Sequence, residues 1–196
     1  MEVELIPVIE VDTRHQEAIE AFASIPPFAA NTPFYRIAGI PLSAIETLVK
    51  VHLRGYFDGK WAIEEQCGFF GGYVLCLDGQ NVLFPQCCGE LSDILYWKHL
   101  AKYSRSAYYN GHPVPEVTFT NDEVVFDCRN DYEEFRPFAP LEIRVAKSAL
   151  SAAYDQALGE LEVFARQLEQ VQYDLPLPVE NIAHVLICRN SDLSDA

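Results

Sequence analysis

The chain has 196 residues and a net charge of −15, with 49% apolar and 22% charged residues. That composition excludes a disordered acidic chain, which carries too little apolar surface to fold, and no apolar run approaches the ~18 residues of a membrane span. At ~150 residues per domain the length fits one domain, able to bury roughly 70% of its unfolded surface without metal or disulfide staples.

The first residues, Met1 to Pro7, lack a basic n-region, a sustained apolar h-region and a small-residue cleavage site, so they read as a strand, Val3 to Val11, of a cytoplasmic protein. Pro7 marks that strand as an edge, because proline donates nothing to a ladder. Thr13-Arg-His-Gln16 matches a Thr-x-x-Gln capping box and opens a short helix to about Ser24, which Pro26-Pro27 stops. A loop of roughly 15 residues follows. Ser43-Ala-Ile-Glu46 is a second capping box, and Ile45, Leu48, Val49, His52 and Leu53 recur at helical spacing until Gly55 supplies a C′ residue.

From Trp61 the pattern changes to strands. Tyr73 to Leu77 and Val82 to Phe84 flank Asp78-Gly-Gln-Asn81, a hairpin connection, and both runs are apolar on both faces, as in central strands covered from each side, or covered on one side and paired with other protein on the other. Ahead of them, Gly68-Phe-Phe-Gly71-Gly72 has neither dinucleotide nor P-loop spacing and marks a bulge or a close backbone approach. A third helix runs from Ser92, as N-cap, to about Tyr103, with Asp93 complementing its dipole. A second hairpin turns at Asn121-Asp122, which pairs Phe119 with Val124 and Val117 with Phe126.

Leu141 to Val145 alternates as a strand with one wet face. Ser148 then starts the longest helix, in which Leu150, Tyr154, Ala157, Leu161, Phe164, Leu168 and Val171 advance by four and three as a narrow seam. Ile182 to Cys188 reads as a last strand. The polar tail 189–196 is expected to be disordered, leaving 1–188 as a single domain. The order of elements gives an α+β fold: a mostly antiparallel sheet with three to four packed helices, including the long C-terminal one.

Three segments carry chemistry that could define a function. The first is Pro85-Gln-Cys-Cys-Gly-Glu-Leu-Ser-Asp93, where Cys87 and Cys88 adjoin the start of a helix whose dipole lowers a thiol pKa, and where His99, or His112 beyond it, is the available base. The competing explanation is one core cysteine and one turn cysteine. Adjacent cysteines alternate in direction when extended, and there is no Cys-x-x-Cys or His-x-x-x-His, so no metal site and no cofactor are expected. The six cysteines, three within apolar runs (Cys76, Cys128, Cys188), fit reduced thiols of a cytosolic protein.

The second segment is acidic: residues 116–134 hold seven carboxylates against Arg129 alone. Asp122, Glu123, Asp127, Asp131, Glu133 and Glu134 form either a solvated hairpin edge or a docking face for a basic partner. The third, Lys98 to His112, is locally basic and tyrosine-rich. Arg105, Tyr108 and Tyr109 have the composition of an adaptable contact surface, unless the tyrosines merely cover the helix end. His52, on the apolar stripe of its helix, reads as a hydrogen-bonded boundary residue.

A charge of −15 disfavours nucleic acid and anionic membranes as partners and speeds the encounter with a basic protein, although it also serves solubility. The expected function is therefore a non-enzymatic interaction module, immunity-like in logic, that neutralises a basic partner. The alternative is a thiol-dependent enzyme, or a redox or metal-binding protein, built on Cys87 and Cys88 with His99. A purely structural or oligomerising role for the long helix seam is a third option.

Overall fold

A computed structural model describes residues 1–175 and 177–188. The fold is α+β, and it holds two antiparallel sheets, not one. The first has the order β2-β1-β3-β4, from β1 (Val3–Glu10), β2 (Phe34–Arg36), β3 (Gly71–Leu77) and β4 (Gln80–Leu83). The second, β5-β6-β7, is built from β5 (Glu116–Phe119), β6 (Glu123–Asp127) and β7 (Glu142–Ala146). Six helices accompany them among the described residues: α1 (Gln16–Phe22), α2 (Leu42–His52), α3 (Arg54–Phe57), α4 (Ile94–Tyr103), α5 (Lys147–Gln172) and α6 (Ile182–Ile187).

The long helix α5 organises the core. Every residue of its seam is buried, and the helix packs on β1, β7, α2, α4 and α6. Gly159 lies off the seam with open space around it. One continuous apolar core joins Leu5 and Ile9 of β1, Leu75 of β3, Phe126 of β6, Val145 of β7 and Phe164 of α5. A smaller cluster covers the opposite face of the first sheet, with Ile6, Val8, Phe34, Val74, Cys76 and Phe84 packed under Phe28. Both faces of β1 and β3 are thus buried, which is why their sequences show no alternation.

Several local expectations are corrected. β1 is central, not an edge, despite Pro7. The Pro7 carbonyl accepts a hydrogen bond from Ile37 on the β2 side, so the missing proline donor faces that side too, beyond the Val8–Glu10 stretch that β2 pairs. β2 itself occupies what reads as loop, and β4, expected to be buried on both faces, is a partly exposed edge. The turn before it is tighter than expected: Asp78 and Gly79 are both left-handed, at φ 50° and 77°, as a two-residue hairpin demands.

Neither capping box forms. Asp12 takes the Arg14 amide and guanidinium, and α1 begins only at Gln16; α2 begins at Leu42 behind Pro41, leaving Ser43 inside the first turn. Gly55 lies within α3, pressed by the Trp61 ring, and does not terminate a helix. Ser92 is not a cap either: a 3-10 turn, Leu91–Asp93, precedes α4, and Asp93 reaches back to the Glu90 amide at 2.8 Å. The segment expected as a strand, Ile182 to Cys188, is helical over Ile182–Ile187, where the Asn181 side chain caps the amides of Ala183 and His184. The second hairpin has the expected register, Phe119 with Val124 and Val117 with Phe126. The tail 189–196 lies outside the described residues.

Candidate functional site

Between β6 and β7 the chain makes a loop, residues 128–141, whose ends meet through the Cys128 amide and the Leu141 carbonyl at 2.9 Å. Two prolines, Pro137 and Pro140, bar it from extending the sheet ladder. The loop is nonetheless anchored. Phe135 and Ala139 are buried, the Asn130 side chain accepts the Tyr132 and Glu133 amides, and Gln86 clasps Arg136 from both sides. In that clasp the Arg136 amide donates to Gln86 Oε1 at 3.0 Å and Gln86 Nε2 donates to the Arg136 carbonyl at 3.2 Å.

From this clasped loop three large apolar side chains project into solvent: Tyr132 is 96% exposed, Phe138 81% and Leu141 61%. Asp131, Glu133 and Glu134 stand exposed among them and make no ion pair among the described residues. The acids of the strands differ. Asp127 is held by Arg129, which lowers its carboxyl pKa, and Glu123 shares Arg144 with Glu142 at 3.2 and 2.7 Å. Asp122 is exposed at the turn, its carbonyl taking the Lys147 amide. The expected acidic face therefore divides into strands whose acids are partly offset by Arg129 and Arg144, and a loop whose acids make no ion pair among the described residues. Sequence inspection finds the acids but not Tyr132, Phe138 and Leu141 as anchors; the one local signal is Phe138, set between Pro137 and Pro140 where no ladder can continue.

The tyrosine-rich segment is less accessible than its composition implies. Tyr108 is buried, its ring edge-on to Trp97 and Phe126 at 5.0 and 5.5 Å, and is no contact residue. Tyr109 is half-buried against Tyr96 and His112. Arg105 lies over the Tyr103 ring, and Lys102 is engaged by Asp155.

Cys87 and Cys88 sit together at an exposed turn after β4, with their sulfurs 3.3 Å apart. The extended alternation expected of neighbours fails because Cys88 is left-handed, at φ 68°, which swings its side chain to the same side as that of Cys87. The turn is locked by backbone contacts: the Cys87 carbonyl accepts the His112 amide at 2.9 Å and the Gln86 amide donates to the Asn110 carbonyl at 2.7 Å. Glycines make this possible. A Cβ on Gly111 would lie 2.3 Å from the Gln86 carbonyl oxygen, and one on Gly71 2.2 Å from that of Val8, so the Gly68–Gly72 run does serve close backbone approach.

The Cys88 thiol is raised above its ordinary pKa by the hydrogen bond to Cys87, then by burial and the nearby acids Glu10 and Glu90. No helix terminus offsets this, since α4 starts six residues on. His99 packs against Tyr96 and Tyr103, and no hydrogen bond or ring contact links it to either thiol among the described residues. His112 arrives by its backbone, with its ring against Tyr109.

A cleft of about 590 Å³ lies between the start of α1 and α2, lined by Asp12, His15, His52, Cys67 and Phe70 among others. His52 Nε2 donates to the Cys67 carbonyl at 2.8 Å, which fixes the proton on that nitrogen and denies it to the Cys67 sulfur 4.0 Å away as a base. Burial lowers the His52 pKa, and its bond to Cys67 makes it a hydrogen-bonded residue on the helix stripe, as expected.

No protein-family model, curated protein or solved structure matches the chain. Among the described residues no helix is long and apolar enough to cross a membrane, and no three His, Cys, Asp or Glu side chains group as a metal site requires.

Proposed function

We propose that this protein is a non-enzymatic interaction module that docks a basic protein partner on the 128–141 loop. One observation carries the reading: a loop fastened at both ends and at Gln86 holds Tyr132, Phe138 and Leu141 in solvent beside three carboxylates that make no ion pair among the described residues. Charge alone does not make an interface, which needs buried apolar anchors inside a polar rim, and this loop supplies both. Fastening lowers the ordering cost on association, and a net charge of −15 steers a cationic protein toward the surface. In its most specific form the partner is a cationic enzyme that the loop neutralises.

The alternative, an enzyme on Cys87 and Cys88 with His99 as base, has less support: no contact brings His99 to a sulfur, and the acids around Cys88 favour the protonated thiol.

The test compares capture from a lysate of the source organism by the wild-type chain and by the double variant Tyr132→Ala, Phe138→Ala. Both residues are exposed, so stability should stay within about 0.5 kcal/mol for each substitution. A stoichiometric basic protein held by the wild type, released by salt and bound ~30-fold more weakly by the variant is the expected result. Equal capture by both chains, or binding indifferent to salt, overturns the reading.

A further inference from the structure

We propose that Cys87 and Cys88 form a reversible dithiol site that closes to an internal disulfide by exchange with low-molecular-weight disulfides of the glutathione class. The inference is independent of the docking loop and needs no histidine base. It stands on three features of the turn: both side chains are exposed, their sulfurs lie 3.3 Å apart, and the backbone that brings them together is fixed by bonds to residues 110 and 112.

The backbone adds a further argument. A non-glycine residue in the left-handed region is strained, so a glycine at position 88 would make the same turn with less strain. What the cysteine adds there is a second thiol beside the first. Buried Cys76 and Cys128 have no such access.

The exchange proceeds in two displacements. The Cys87 thiolate attacks one sulfur of the small disulfide, breaking its S–S bond, forming a mixed disulfide and expelling one small thiolate. Cys88 then gives up its proton and attacks the Cys87 sulfur, forming the Cys87–Cys88 bond and expelling the second small thiolate. The two protons lost by the cysteines end on the two small thiols, so two protein thiols are oxidised and one small disulfide is reduced. The exchange balances equally in the opposite order, with Cys88 attacking first. Adjacent Cα atoms lie ~3.8 Å apart, short of the ~4.4–6.8 Å that most disulfides span, so the closed form is strained and easily reduced.

The test incubates the reduced protein with graded mixtures of reduced and oxidised glutathione, quenches with an alkylating reagent and weighs the peptide that spans the pair. In the wild type both alkylation sites should disappear together as oxidised glutathione increases, leaving a peptide two hydrogens lighter without bound glutathione, and reduced glutathione should restore them. In Cys88→Ser, which keeps the turn and lacks the second thiol, glutathione should remain on Cys87; thermal melts establish that the variant is folded. A stable glutathione adduct on the wild-type pair, or two thiols alkylated independently at every ratio, overturns the proposal.

Discussion

Asp93 lies 3% exposed at the start of α4, and its carboxyl is pushed up to about 7 by burial, with the charge of Glu90 adding to the rise and the hydrogen bond from the Glu90 amide opposing it. Because the folded chain holds this proton more tightly than the unfolded chain does, the native state binds more protons between pH ~4 and ~7. Stability attributable to Asp93 therefore falls as pH rises through that window, by at most about 4 kcal/mol, and is level above it. Asp93→Asn keeps an oxygen for the Glu90 amide and removes the charge. Urea denaturation at pH 4.5 and at pH 8 should find the variant more stable than wild type by a few kcal/mol at pH 8 and close to it at pH 4.5; an equal difference at both would exclude Asp93 as the titrating group. The residue's position near a helix start is legible in the sequence, where it reads as an acid that complements the helix dipole. Its burial was not, since Leu91, Trp97 and Tyr108, which share that buried region, come together only in the tertiary structure. The same limit explains Tyr108, whose composition suits a contact surface while its ring fills the gap between Trp97 and Phe126.

At the scale of elements, legibility follows how local the determinants are. The 117–126 hairpin reads correctly because its turn and its alternating pairs are set within ten residues, and the α5 seam because one face repeats over many turns. Segments whose state depends on distant partners read poorly. The strand β2 exists because β1 offers it an open edge, and α6 is too short for periodicity to distinguish from a strand. What decides α6 is its first turn: Asn181 Oδ1 accepts from Ala183 and His184 at 2.8 and 3.2 Å, and Gln172 Oε1, from the end of α5, takes the Ile182 amide at 2.8 Å. Asn181→Ala removes the cap and should cost about 1 kcal/mol. Hydrogen exchange should localise that loss, with faster exchange at amides 183–187 and little change in β3 or β6. Uniform acceleration across the chain would mean that the cap supports more than its own helix.

For the whole molecule, the decisive element is α5, because it packs on the central strand of one sheet and on β7 of the other. Two small sheets of four and three strands would be weak cores separately, yet their apolar faces merge along this helix into one cluster that runs from Val3 to Cys188. The single domain expected from length is in physical terms a claim about cooperativity: neither sheet should keep its core once α5 leaves. Phe164 is the position to test this. It is 1% exposed on the seam, with its ring 6.4 Å from that of Phe69, just ahead of β3. Phe164→Ala leaves a cavity and should cost about 3–5 kcal/mol. Two probes then report on different regions, far-UV circular dichroism on the helices as a whole and tryptophan fluorescence chiefly on buried Trp97, which touches Phe126 of the second sheet. In wild type and variant alike the two signals should fall together in urea, with the midpoint lowered and the slope kept. If Phe164→Ala instead separated them, with fluorescence surviving after part of the helical signal was lost, the β5-β6-β7 sheet and α4 would hold a core of their own, and the chain would be two cooperative units joined by α5.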